Sequence, residues 1–162
     1  MFNTELKMEN KIETEYNKLC KKYKLPKFEE IDKEFEISSL ENERFLIRNI
    51  LRKIAEKLEI YSDAIGNLVH PDGSSLSSMY EVRFFSDEEK DGMYKLFKKL
   101  MKVNRDIATI VLSADEKKEA EFLNDFFNGW LNLKKDLITY IGKMRESWEK
   151  ESTIEEDLGY FG

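Results

Sequence analysis

Apolar residues in this chain recur every three or four positions, the period that places them on one face of an α-helix. The clearest run lies between about Ser39 and Val69. There Ile47, Leu51, Ile54, Leu58, Tyr61, Ile65 and Leu68 alternate spacings of four and three without a break. This is the seam of a helix that packs at about 20° to its neighbours. Three further stripes share the period. Met8, Ile12, Tyr16, Leu19 and Tyr23 predict a helix from about Thr4 to Lys24. Met93, Phe97, Leu100, Asn104, Ile107 and Val111 predict one from about Asp87 to Leu112. Phe126, Trp130, Leu133, Leu137, Ile141, Met144 and Trp148 predict the longest, from about Ala114 to Glu149. The expected fold is therefore all-α: a four-helix up-down bundle of long helices with one or two short helices in the connections.

Punctuation supports these bounds. Ser38 with Glu41, Ser86 with Glu89 and Ser113 with Glu116 each have the spacing of a capping box, in which the serine oxygen accepts an orphan amide and the glutamate reaches back. The prolines, Pro26 and Pro71, fall between stripes, where a helix is expected to stop. Phe28, Ile31 and Phe35 give a short helix within Lys27 to Glu36. Ser74 to Phe85 is ambiguous. Leu76, Met79 and Tyr80 suit a helix, whereas Tyr80, Val82 and Phe84 alternate like a strand. A lone strand would have nothing to pair with, so the helix is preferred. No repeat or linker divides the chain, which reads as one domain over residues 1–150 followed by an acidic-aromatic tail over 151–162.

At 1.5 Å per residue, a 36-residue fourth helix would outreach a 26-residue third by roughly 15 Å. Met144 and Trp148 would sit on that overhang and need a cover: a short segment, the tail or a second copy of the chain. In the tail, Glu155, Glu156 and Asp157 precede Leu158, Tyr160 and Phe161. Such a segment can fold back over Trp148, act as a docking peptide, or remain disordered. Trp148, Met144, Leu158, Tyr160 and Phe161 are accordingly the candidate partner-binding residues.

Composition narrows the chemistry. Of 162 residues, 37% are charged and the net charge is −6, so bulk electrostatics do not favour nucleic acid. Two basic tracts stand against that background: Arg44, Arg48 and Arg52 at intervals of four, and Lys95, Lys99 and Lys102 on the third helix. They read as solvated faces making pairs along the helix, or as a phosphate-binding surface for nucleic acid or another polyanion. Asn104 interrupts an apolar seam, a position at which a polar residue can set helix register.

Cys20 and His70 are the only residues of their types. With one of each, neither a zinc site nor the Glu-x-x-His pairs of di-iron bundles can be assembled, so no metal or cofactor is expected. The lone thiol reads as buried and inert in a reducing compartment. The first ten residues have no signal-peptide core and no run is apolar enough to cross a membrane, so a cytoplasmic location is expected. Gly129 and Gly142, inside the fourth helix, suggest close helix approach. Lysine outnumbers arginine 21 to 6 and glutamine is absent, as heat-adapted proteins favour, but ten asparagines oppose that reading.

No Ser/His/Asp set, Cys/His pair or glycine-rich phosphate loop occurs in the sequence, and an enzyme is not expected. The reading favoured is a non-enzymatic interaction or scaffold protein that binds a protein partner or itself. A nucleic-acid accessory protein and a small-ligand-binding bundle are the alternatives.

Overall fold

Four helix starts in this protein are set by side chains that accept the first free amides. The structure, a computed structural model, describes residues 10–153, 156, 157 and 159. Among them every regular element is helical. Helix α1 spans Lys11–Tyr23, α2 Phe28–Phe35, α3 Leu46–Val69, α4 Leu76–Val82, α5 Asp87–Ser113 and α6 Glu116–Ser147, with a single 3-10 turn at Ile37–Ser39.

Three bounds differ from expectation, each for a local reason. Helix α1 begins at Lys11 because extended Asn10 caps it, its Oδ1 accepting from the Ile12 amide at 3.1 Å. Thr4 to Glu9, with Met8, lie outside the described residues. Helix α3 begins at Leu46, not at Ser39. The expected Ser38–Glu41 box does not form there, because Asp32 Oδ1 accepts from the Ser38 amide at 2.7 Å and Ser39 closes the 3-10 turn. Phe45, with φ 48°, then turns the backbone left-handed just before the helix. Helix α6 begins at Glu116 because Asp115, not Ser113, is its cap. Asp115 Oδ1 accepts from the Lys117 and Lys118 amides at 3.0 and 3.2 Å. Ser113 remains the last residue of α5 and donates back to the Ile110 carbonyl at 2.6 Å.

The other expected elements form. The Ser86–Glu89 box is complete: Ser86 Oγ accepts from the Glu89 amide and Glu89 Oε1 from the Ser86 amide, both at 3.1 Å. The ambiguous stretch is helical, with Ser75 Oγ accepting from the Ser78 amide at 3.3 Å to start α4. Three helices are long, at 24, 27 and 32 residues, whereas α1 has 13. Helix α6 is longer than α5 by five residues, 32 against 27, or about 7.5 Å of rise, half the expected difference in length.

The chain divides into two compact units: residues 1–57 with 106–130, and residues 58–105 with 131–162. In the first unit Ile12, Tyr16 and Leu19 of α1, Ile31 and Phe35 of α2, and Ile47, Leu51 and Ile54 of α3 are buried together with Phe126 and Trp130 of α6. Phe35 lies against Trp130 with ring centres 4.9 Å apart, and the Trp130 indole N–H donates to Glu34 Oε2 at 2.7 Å, so the large ring is buried without a stranded donor. The Tyr16 hydroxyl donates to the Pro26 carbonyl at 2.7 Å, and burial pushes its pKa well above the ordinary phenol value.

In the second unit Leu58, Ile65 and Leu68 of α3 are buried with Tyr80, Val82 and Phe85, Met93 and Leu100 of α5, and Leu137 of α6. Aromatic side chains press against the helix backbone at Gly66 and Gly92. A Cβ at Gly66 would fall 2.9 Å from the Phe97 ring, and one at Gly92 only 2.1 Å from the Tyr140 hydroxyl. The two glycines singled out from sequence behave otherwise. A Cβ at Gly129 or Gly142 meets nothing within 4 Å, so close approach within the chain does not explain either.

Candidate partner-binding surface

The surface that best matches the expected partner-binding residues is assembled where the end of α6 meets α4. Tyr80 is buried in α4, and its hydroxyl donates to the carbonyl of Ser147, the last residue of α6, at 2.7 Å. That bond fixes the chain where it leaves the helix. The next residue, Trp148, stacks on Tyr80 with ring centres 4.4 Å apart and planes 28° from parallel. Yet Trp148 remains 55% exposed. The residue is thus stacked and more than half exposed at once.

Charge surrounds the rings. Tyr80 and Phe84 meet edge to face at 5.1 Å. The Arg83 guanidinium lies 4.4 Å from the Tyr80 ring centre and 4.9 Å from that of Phe84, and Lys150 Nζ lies 4.5 Å from Phe84. Cations over aromatic faces at these distances are attracted by the ring quadrupole. Burial raises the Glu81 carboxyl above the ordinary carboxylate range, and Trp148 opposes that shift.

The described part of the tail returns to this surface. Thr153 Oγ1 accepts from the Glu156 amide at 3.1 Å while Glu156 Oε2 accepts from the Thr153 amide at 3.0 Å, a complete capping box. Asp157 follows, forms an ion pair with Arg83, and accepts from the Ser152 hydroxyl at 2.9 Å. Leu158, Tyr160 and Phe161 lie outside the described residues. Met144 is half-buried, and its carbonyl accepts from Ser147 Oγ at 2.6 Å.

The basic residues fall in both compact units. Arg44 precedes α3, so the expected helical spacing of Arg44, Arg48 and Arg52 fails at its first member. Arg44 and Arg48 flank the exposed Phe45 ring at 5.5 and 4.8 Å. Arg48 also pairs with buried Glu119, Nε to Oε1 at 3.1 Å. Arg52 donates to Asn49 Oδ1 at 3.1 Å and borders a shallow depression of about 370 Å³ with Lys53 and Glu56. Lys95 pairs with Asp91 along α5 at 3.0 Å, and Lys99 and Lys102 are exposed. The first three residues belong to one unit and the lysines to the other.

Other singled-out residues take structural places. Asn104 is half-buried, and its Oδ1 is buried without a hydrogen-bond partner. Cys20 is half-buried and its Sγ donates to the Leu25 carbonyl at 3.1 Å. His70 is exposed just after α3. Among the described residues no group of three or more His, Cys, Asp or Glu is placed to hold a metal, and no helix is long and apolar enough to cross a membrane.

Sequence reasoning named Trp148 but missed its supports, Tyr80, Arg83 and Phe84. The available signal was their spacing: on a helical reading, positions 80, 83 and 84 share a face. The strand-like alternation of Tyr80, Val82 and Phe84 masked it. Comparison with protein families, with curated proteins and with solved structures finds no match to this chain.

Proposed function

We propose that this chain is a non-enzymatic interaction protein that docks a protein partner on the surface formed by Trp148, Tyr80, Phe84, Arg83 and Lys150. The observation that carries the reading is the state of Trp148. Its ring is stacked on Tyr80, yet the residue is more than half exposed. A pre-positioned tryptophan loses little side-chain entropy on binding, and tryptophan and arginine are the residues in which binding energy concentrates. Helix α6 offers a second element of the same kind. Leu131 and Ile138 are 71% and 62% exposed two turns apart, beside the open position at Gly142. This outer face supports self-association through α6. The lone Cys20, a thiol hydrogen-bonded within its own fold, is compatible with work in a reducing cytoplasm.

A photo-crosslinking side chain at position 148 tests the proposal in cells. The expected result is one discrete adduct that is missing when the same group replaces exposed Lys118. Indiscriminate labelling from both positions would contradict it.

A further inference from the structure

The interaction surface holds a carboxylate already, and that carboxylate belongs to the protein. Asp157 reaches Arg83 from the C-terminal segment, beyond a stretch without regular structure at residues 151–153. The arginine is a prepared receptor. Its side chain is 14% exposed, its guanidinium is flanked by Tyr80 and Phe84, and Lys150 adds a second cation over Phe84. Such flanking fixes the planar fork and removes water around it, which strengthens a carboxylate bond. The ligand is presented in a defined shape. The Thr153–Glu156 box starts a helical turn, the Asp157 amide donates to the Thr153 carbonyl at 3.1 Å, and Ser152 steadies the Asp157 carboxylate.

The tie at Asp157 is a partly exposed ion pair: the carboxylate is 31% exposed and also accepts from Ser152. Ion pairs open to water contribute little and exchange readily. Trp148, a few residues before the tail, is meanwhile 55% exposed.

We propose that Arg83, with Tyr80, Phe84 and Lys150, is a binding site for an acidic helical turn, and that the chain's own C-terminal segment is its resident, displaceable occupant. The partner is then a peptide segment with a Ser/Thr-capped turn, an aspartate or glutamate that takes the place of Asp157, and an adjacent apolar side chain that covers Trp148. The resident tail works as an internal competitor. A tether of this length gives an effective concentration on the order of millimolar, so a segment of intrinsic affinity near 100 μM would lower apparent partner affinity about tenfold. This inference deepens the proposed interaction role and rests on it.

The test uses the full-length chain and a fluorescent synthetic peptide of residues 151–162. Fluorescence anisotropy is read for the wild-type chain and for Asp157→Asn, which vacates the site. The peptide should bind the Asp157→Asn chain about tenfold more tightly than wild type. A peptide carrying Asp157→Asn should bind that chain at least tenfold more weakly than the unaltered peptide. The second comparison uses one protein sample, so no folding defect can mimic it. Equal binding to the two chains, indifference to the peptide substitution, or no binding to either chain at millimolar concentration would each overturn the proposal. None of these results would bear on crosslinking from position 148, which tests the interaction role separately.

Discussion

Glu119, 2% exposed near the start of α6, accepts a hydrogen bond from Arg48 Nε of α3 at 3.1 Å. The pair joins an arginine expected on a solvated face to a carboxylate with almost no access to water. Arg48 is spent on this contact and on the Phe45 ring.

Removing one member of a buried pair strands the other. Glu119→Ala should cost about 3 kcal/mol in urea unfolding, whereas the double substitution Arg48→Met with Glu119→Leu should recover most of that loss. Equal losses in the single and double variants would show that packing, not the ion pair, holds this site.

Asn104 gives the opposite sign. Its Oδ1 is buried and accepts nothing, so the side chain carries a desolvation cost without a compensating bond. Asn104→Leu should raise stability by about 1 kcal/mol. If the residue sets helix register, the same variant should give broader, heterogeneous amide spectra.

Gly129 and Gly142 interrupt α6 with open space where a Cβ would be. Alanine at either position should stabilise the protein by up to about 1 kcal/mol, read from thermal melting. On the self-association proposed through α6, Gly142→Ala should in addition weaken it in sedimentation, because Gly142 lies beside exposed Leu131 and Ile138. Gly129→Ala should leave sedimentation unchanged.

Two glutamates give opposite pH responses. Glu89 is held below the ordinary carboxylate range, first by Lys143 and then by the Ser86 amide. Its contribution is present above the unfolded value near 4.5 and is lost as pH falls through the lower folded value. Glu89→Gln should therefore cost about 1 kcal/mol at neutral pH and progressively less in acid. Glu81 is raised by burial, so its ionisation opposes folding as pH climbs through its raised value. Glu81→Gln should stabilise by about 0.5 kcal/mol at neutral pH, with the gain vanishing below pH 4.5. Denaturant melts at several pH values distinguish the two slopes.

Much of the helical architecture was legible from the chain because apolar period is a local property. The α3 seam from Ile47 to Leu68 is buried except at half-buried Tyr61. Helix starts were legible only where no rival cap stood nearby. The Ser86–Glu89 box forms, whereas Asp32 and Asp115 outcompete the other two expected boxes. Three turns hinge on left-handed Lys24, Glu36 and Ala114, where the usual signal would be glycine. The Trp148 surface was half legible. Trp148 was singled out as a residue on an overhang that something should cover, whereas it lies just past the end of α6 and is 55% exposed. The Tyr80 that stacks on it lies in an ambiguous segment far along the chain. Such a stacking contact depends on tertiary placement, which no local spacing encodes. The tail was open to fold-back over Trp148, docking or disorder, and the contact of Asp157 with Arg83 was not foreseen, for the same reason.

The central claim is that function resides in the rigid, half-open Trp148 surface. Its most direct test compares the wild-type chain with Trp148→Ala as immobilised bait in native lysate, with circular dichroism and melting temperature recorded for both. A specific partner should be retained by wild type and weakened by at least about 2 kcal/mol, roughly thirtyfold, in the variant, while the helical spectrum is unchanged. Equal retention by both baits would contradict the account.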